Sequence, residues 1–290
     1  MALEILTYGF VQRALISGIV IAVICSIIGL FLVLKRHSLF GDAMSHVAFG
    51  GIAIGLYANV YPLWTAFIVS VLAGLGMTKL REVAKIPPDS AVAVLLSSGL
   101  AIGIVLISLS GGFSLDLFSF LFGSILLVTS QDLIMILTVS GVVLVTMSLI
   151  YEKLTYVTFD EEQAAVAGLS VRNINYLFIV IASITVIASI KLVGVLLISS
   201  LIVLPNITAL AMGKGFKKTA IISCGISVGS VIVGIIISYF ANIAPSGAVV
   251  LTETTVFLMV LFGKYILNKI REPELELHHK KSNDERKISI

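Results

Sequence analysis

Charge is scarce in this chain: Asp, Glu, Lys and Arg make up only 12% of its 290 residues, about half the share of an average soluble domain. An ordinary water-soluble fold is thereby excluded. Cysteine is nearly absent too. Cys25 and Cys224 stand alone in apolar runs without Cys-x-x-Cys spacing, so they read as small core residues and say nothing about compartment. No Gly-x-x-x-x-Gly-Lys-Ser/Thr phosphate loop occurs, and any nucleotide hydrolysis must reside in a separate subunit. The net charge of +3 is small, and its basic residues sit in loops where they orient a membrane protein and do not form a nucleic-acid surface.

What the chain has is apolar length. Hydrophobic residues make up 58% and the mean hydropathy is +1.12. The uncharged run from Ala14 to Leu34 matches the roughly 20 residues a helix needs to cross hydrocarbon. The runs are continuous, not alternating, which predicts an all-α integral membrane bundle and argues against a barrel. The first run starts late and is followed by Lys35-Arg36, so it reads as a retained spanning helix with no cleavable signal.

Spans are predicted near 14–34, 42–58, 63–79, 90–109, 131–151, 176–190, 194–212, 219–241 and 246–267. That gives nine, or eight if the short 176–190 segment does not cross. With nine, the basic loops around Lys35/Arg36, Lys79/Arg81/Lys85, Lys153/Arg172, Lys214/Lys217/Lys218 and Lys264/Lys269/Arg271 all fall on one side. Basic loops mark the cytoplasm, so the N-terminus is expected outside and the C-terminus inside. Ser110 to Ser130 is too short in its apolar part to span and reads as a re-entrant or extracellular element. The organisation is therefore a transmembrane domain over 1–270 and a polar, solvated or disordered cytoplasmic tail over 271–290.

Two stretches carry chemistry. In Gly41-Asp42-Ala43-Met44-Ser45-His46, the carboxylate of Asp42 and the imidazole of His46 lie four residues apart, on one helix face. Ionisable groups inside a membrane mark functional sites, and oxygen plus imidazole donors suit a divalent transition metal. The alternative is that Asp42 caps the span and His46 merely packs. Between two spans, Thr158-Phe159-Asp160-Glu161-Glu162-Gln163-Ala164-Ala165-Val166-Ala167-Gly168-Leu169 predicts a short cytoplasmic helix over 158–169. Thr158 is its expected N-cap, Glu161 the capping-box partner and Gly168 the stop. Its acidic start and small apolar later face suit docking into a groove of another protein.

Other polar residues have blander readings. Asp89, after Pro87-Pro88, reads as an N-cap. Glu253, near the outer end of the last span, is either interface-exposed or a guide for cations. His37 reads as a loop histidine, and Lys191 as an interface-seeking cation. Gly225, Gly229 and Gly234 with Ser223, Ser227 and Ser230 read as a helix-packing series.

The Asp42/His46 stretch with Val47-Ala48-Phe49-Gly50-Gly51, the Asp89-Ser90-Ala91-Val92-Ala93 segment, Phe122-Gly123-Ser124-Ile125, Phe159-Asp160-Glu161 to Gly168, and Val193-Gly194-Val195-Leu196-Leu197-Ile198 with Leu204-Pro205 together resemble the membrane permeases of zinc and manganese ATP-binding-cassette importers, over about residues 10–267. The resemblance implies a type II importer permease in a bacterial plasma membrane. It implies a homodimer that binds two ATP-binding subunits, embedded in lipid and served by an extracytoplasmic metal-binding protein. Zn²⁺ or Mn²⁺ would be cargo, with no permanently bound cofactor. Asp42 and His46 match the family's metal site. Phe159, Asp160, Glu161, Ala164 and Gly168 fall in its ATPase-coupling helix, while Asp89, Asn206 and Glu253 are possible pathway residues. Lys191 and the Leu121-Phe122-Gly123-Ser124 run resemble the zinc branch. Asn206 and Glu253 depart from the usual pattern, where relatives carry Ala and a small residue.

Overall fold

The computed structural model describes residues 9–109 and 129–288, and every described element is helical. The elements are α1 (Gly9–Leu34), α2 (Phe40–Tyr57), α3 (Pro62–Ala84), α4 (Pro88–Leu109), α5 (Ser130–Phe159), α6 (Glu161–Val166), α7 (Val171–Val193), α8 (Val195–Ala211), α9 (Phe216–Ala241) and α10 (Pro245–Ile288). The Ser110 to Ser130 element predicted from sequence, and Phe122-Gly123-Ser124-Ile125 within it, lie outside the described residues except at its last two positions.

Each predicted span coincides with a helix, but among the described residues only seven helices are long and apolar enough to cross a bilayer unaided. The expected eight to nine is therefore too many on that criterion. Helix α2 misses it because Asp42, His46 and a run of glycines dilute its hydropathy, and α8 because it has 17 residues. Both are enclosed by other helices. The 176–190 segment is a full crossing within α7, so its shortness in sequence reflected only the polar residues at its start.

The bundle is packed around α1, where Phe31 stacks edge-on with Tyr151, Phe178 and Phe216 at centroid distances of 5.5–6.3 Å. Outward faces stay apolar: Val145 and Leu149 on α5 and Leu258, Met259 and Phe262 on α10 are all exposed. Lipid is as apolar as leucine, so burying leucine drives little association here, and small and hydroxyl side chains pack the interior. Ser26 donates to the Ser223 hydroxyl at 2.8 Å and Ser227 to the Ala22 carbonyl at 3.2 Å. The serines of α9 thus form its packing face. Of its three glycines only Gly234 is a close-approach point, against Val249; space is open at Gly225 and Gly229.

Helix α2 is wedged in the same way. A β-carbon on Gly99 of α4 would sit 2.8 Å from the Val47 backbone, and one on Gly51 would sit 2.7 Å from the Ala66 backbone of α3. A single residue, Gly194, separates α7 from α8, at φ 80°, ψ 161°, a region open essentially to glycine alone. Gly194→Ala is expected to cost about 1–3 kcal/mol of strain, read as a lowered unfolding temperature of the detergent-solubilised protein. Helix α10 runs on to Ile288, through the polar segment from Arg271.

Candidate functional site

Asp42 lies in the first turn of α2, and no side chain caps that helix, whose N-cap position is Leu39. The capping alternative for Asp42 is therefore not realised. One turn on, His46 Nε2 stands 3.7 Å from Asp42 Oδ1, with the two side chains 22% and 34% exposed. Nearly every other residue of α2 up to Gly55 is buried. The two donors thus share one open strip on a clamped helix, beside α8, where Gly41 approaches Ile202 and Ser199. Among the described residues no group of three or more His, Cys, Asp or Glu converges, so one chain offers two donors here and no more.

The other pathway candidates separate. Asn206 is buried, and its amide donates to the Ile202 carbonyl at 2.7 Å while its oxygen accepts from Ser223 at 2.7 Å. It ties α8 to α9, and through Ser26 to α1. Glu253 is not interface-exposed: its side chain is fully buried, with the Ser200 hydroxyl of α8 as its polar neighbour. Sequence position alone put it near an outer end; the packing of α10 on α8 encloses it. Asp89 is exposed inside the first turn of α4, not at its N-cap, because Pro88 already belongs to the helix. Residues 121–124 and the side chain of Lys191 lie outside the described set.

The short helix forms two residues later than expected. Helix α5 runs on through Phe159, so the Thr158 hydroxyl donates back to the Leu154 carbonyl at 2.6 Å. Asp160 is the N-cap instead, accepting from the Gln163 amide at 2.9 Å. Gly168, at φ 83°, closes α6: its amide donates to the Ala165 carbonyl and that of Leu169 to the Ala164 carbonyl, the pairing of a left-handed glycine stop. Ala164 is buried, while Val166 is 90% exposed. Glu161 is held by Lys35 Nζ at 3.3 Å and by the Asn175 amide at 3.1 Å. Burial pulls the Lys35 ammonium below its ordinary value, and the Glu161 carboxylate opposes that pull. A six-residue helix is thereby pinned on one side and bare on the other.

His37 is not a free loop residue. It is buried, with Nε2 2.8 Å from an Arg81 guanidinium nitrogen. Burial first, then the cations Arg81 and Lys35, push its pKa from 6.5 down to about 4. The folded state therefore disfavours the charged imidazole. Between pH 6.5 and 4 the unfolded chain binds more protons, so stability falls as pH drops through that window. His37→Gln is expected to remove about 3 kcal/mol of this acid sensitivity, read by thermal unfolding in neutral detergent from pH 7 to pH 4.

A family model described as the ABC 3 transport family matches residues 7–264. A "Probable metal transport system membrane protein" of Treponema pallidum is 36% identical, the match covering 88% of this chain and 96% of the relative. The "Manganese import system permease protein ScaB" of Streptococcus gordonii is 31% identical, covering 91% and 96%. Among solved structures, PsaBC from Streptococcus pneumoniae in complex with Fab superposes with a TM-score of 0.79 at 30% identity, covering 89% of this chain and 94% of that one.

Proposed function

The chain belongs to the ABC 3 transport family, and we propose that it is the membrane-spanning permease of an ATP-driven importer of divalent transition metal ions. It is a transport component and not an enzyme. The observation that carries the metal reading is the Asp42–His46 pair, one helical turn apart on the one open strip of α2. One chain supplies an oxygen and a nitrogen. A two-fold axis beside α2 would bring the same pair from a second copy and complete an N₂O₂ set, the ligand number zinc takes. Carboxylate and imidazole without thiolate hold such an ion loosely enough to release it.

Zn²⁺ is the cargo favoured by this four-donor set. Mn²⁺ is favoured by the S. gordonii relative, a manganese import permease by name. The test is metal analysis of the reconstituted complex with zinc and manganese in competition, wild type against His46→Ala. One ion per two chains, lost in the variant, is the expected result; equal metal in both overturns the site.

The remaining parts have roles in the same reading. Two ATP-binding subunits dock on the bare side of α6, around Glu162, Gln163 and Val166, and their closure rocks the bundle through the Glu161–Lys35–Asn175 contacts, alternating access to Asp42 and His46. An extracytoplasmic binding protein delivers the ion. The end carrying Lys35, Lys85, Lys153 and Lys214 faces the cytoplasm of a bacterial cell. Glu253, buried beside Ser200 of α8, would serve the same pathway.

A further inference from the structure

At the basic end of the bundle, where the helices leave the membrane, a cavity of about 910 Å³ opens between the α1–α2 turn, the end of α3, α6 and the start of α7. Its cations outnumber its carboxylates. Lys35 is paired with Glu161, and Arg172 with Glu82 at 3.5 Å. Arg36, Arg81 and Lys85 also line it, and among the described residues none of the three has a carboxylate within ion-pairing distance. The Arg81 guanidinium bonds to the neutral His37 ring, while its buried Nε–H has no acceptor.

The backbone adds a separate observation. Among the described residues, four that are not glycine take left-handed φ: Asn59, Asn242, Arg36 (φ 59°) and Lys85 (φ 51°). Asparagine tolerates that conformation, whereas long cationic side chains do not favour it. The two that defy the preference both line this cavity. Leu34, Phe178 and Ile179 form an apolar part of the lining beside them.

We propose that this cavity binds the headgroup of an anionic phospholipid of the adjoining leaflet, its phosphate on Arg36, Arg81 and Lys85. Basic pockets between helix ends at the membrane boundary take such headgroups, and guanidinium groups hold phosphate with charge-assisted hydrogen bonds. Leu34, which ends the apolar run of α1, lines the cavity, and a basic pocket at such a span end selects a lipid headgroup over a free anion. The bound lipid would join the end of α3 to the Lys35–Glu161 contact that holds α6, making communication with the ATP-binding subunits depend on lipid charge. This rests on the cavity alone and not on the Asp42/His46 reading.

The test is native mass spectrometry of the full-length protein, alone and with its ATP-binding subunit, drawn from mixed phosphatidylglycerol and phosphatidylcholine vesicles. Wild type is expected to retain phosphatidylglycerol selectively in both forms. Arg36→Asn/Lys85→Asn is expected to weaken that retention roughly 25-fold, about fivefold for each charge removed. Its unfolding temperature should stay level or rise, because asparagine suits the left-handed backbone. Arg36→Lys/Lys85→Arg, which keeps both charges, should retain the lipid. Equal retention by wild type and the asparagine variant overturns the proposal. So does displacement of the lipid by soluble glycerol phosphate, or its loss when the ATP-binding subunit joins, which would make the cavity part of a subunit contact.

Discussion

Uptake of zinc and manganese into vesicles is expected to disappear when either Asp42 or His46 is replaced by alanine, while the complex still assembles. In the proposed homodimer each substitution would act twice, removing two donors of the four a zinc ion takes. The loss should exceed the roughly 10–100-fold caused by removing a group that merely orients a ligand. Assembly should survive because the two side chains lie on an open strip, whereas α2 is held by backbone approaches at Gly51, against α3, and at Gly99 of α4. Asp42→Asn keeps shape and removes charge, and it too should fail. Wild-type uptake by both alanine variants would remove the site.

The second large effect concerns α6. Asp160→Ala/Gly168→Ala is expected to uncouple ATP hydrolysis from metal, leaving basal hydrolysis and bound metal in place. A six-residue helix is too short to persist by its own hydrogen bonds. It depends on its Asp160 cap, on its left-handed Gly168 stop and on the Glu161 contacts. Loss of the cap costs about 1 kcal/mol and an L-residue at the stop about the same. Together these lower the ordered fraction roughly thirtyfold. Space is open around Gly168, so the defect is conformational and not a clash. Metal-stimulated hydrolysis at the wild-type rate in proteoliposomes would show that α6 does not carry the signal.

Sequence patterns located the helices and failed where two local patterns competed. Thr158 with Glu161, and Asp160 with Gln163, both place a capping side chain three residues before an acceptor or donor site. Which one caps depends on where α5 stops, and α5 runs to Phe159, whose ring packs edge-on against Phe216 of α9 at 5.7 Å. The same limit hid His37. Beside Lys35 and Arg36 it looks solvated, yet the turn folds it under α3 and against Arg81. Glu253 was equally ambiguous, because hydropathy along one helix cannot say which face α8 covers.

The sequence by itself determined the all-helical membrane class, the places of the described long helices, the pairing of Asp42 with His46 and the glycine stop at Gly168. Those depend on hydropathy, helical period and the φ tolerance of single residues, all of which are local. Only the tertiary structure decided that α2 is an enclosed helix, that Asn206 ties three helices together while Glu253 is buried, and that Arg36, Arg81 and Lys85 meet around one cavity. Burial and charge balance depend on which distant helices share an interface, and a one-dimensional pattern carries no record of that.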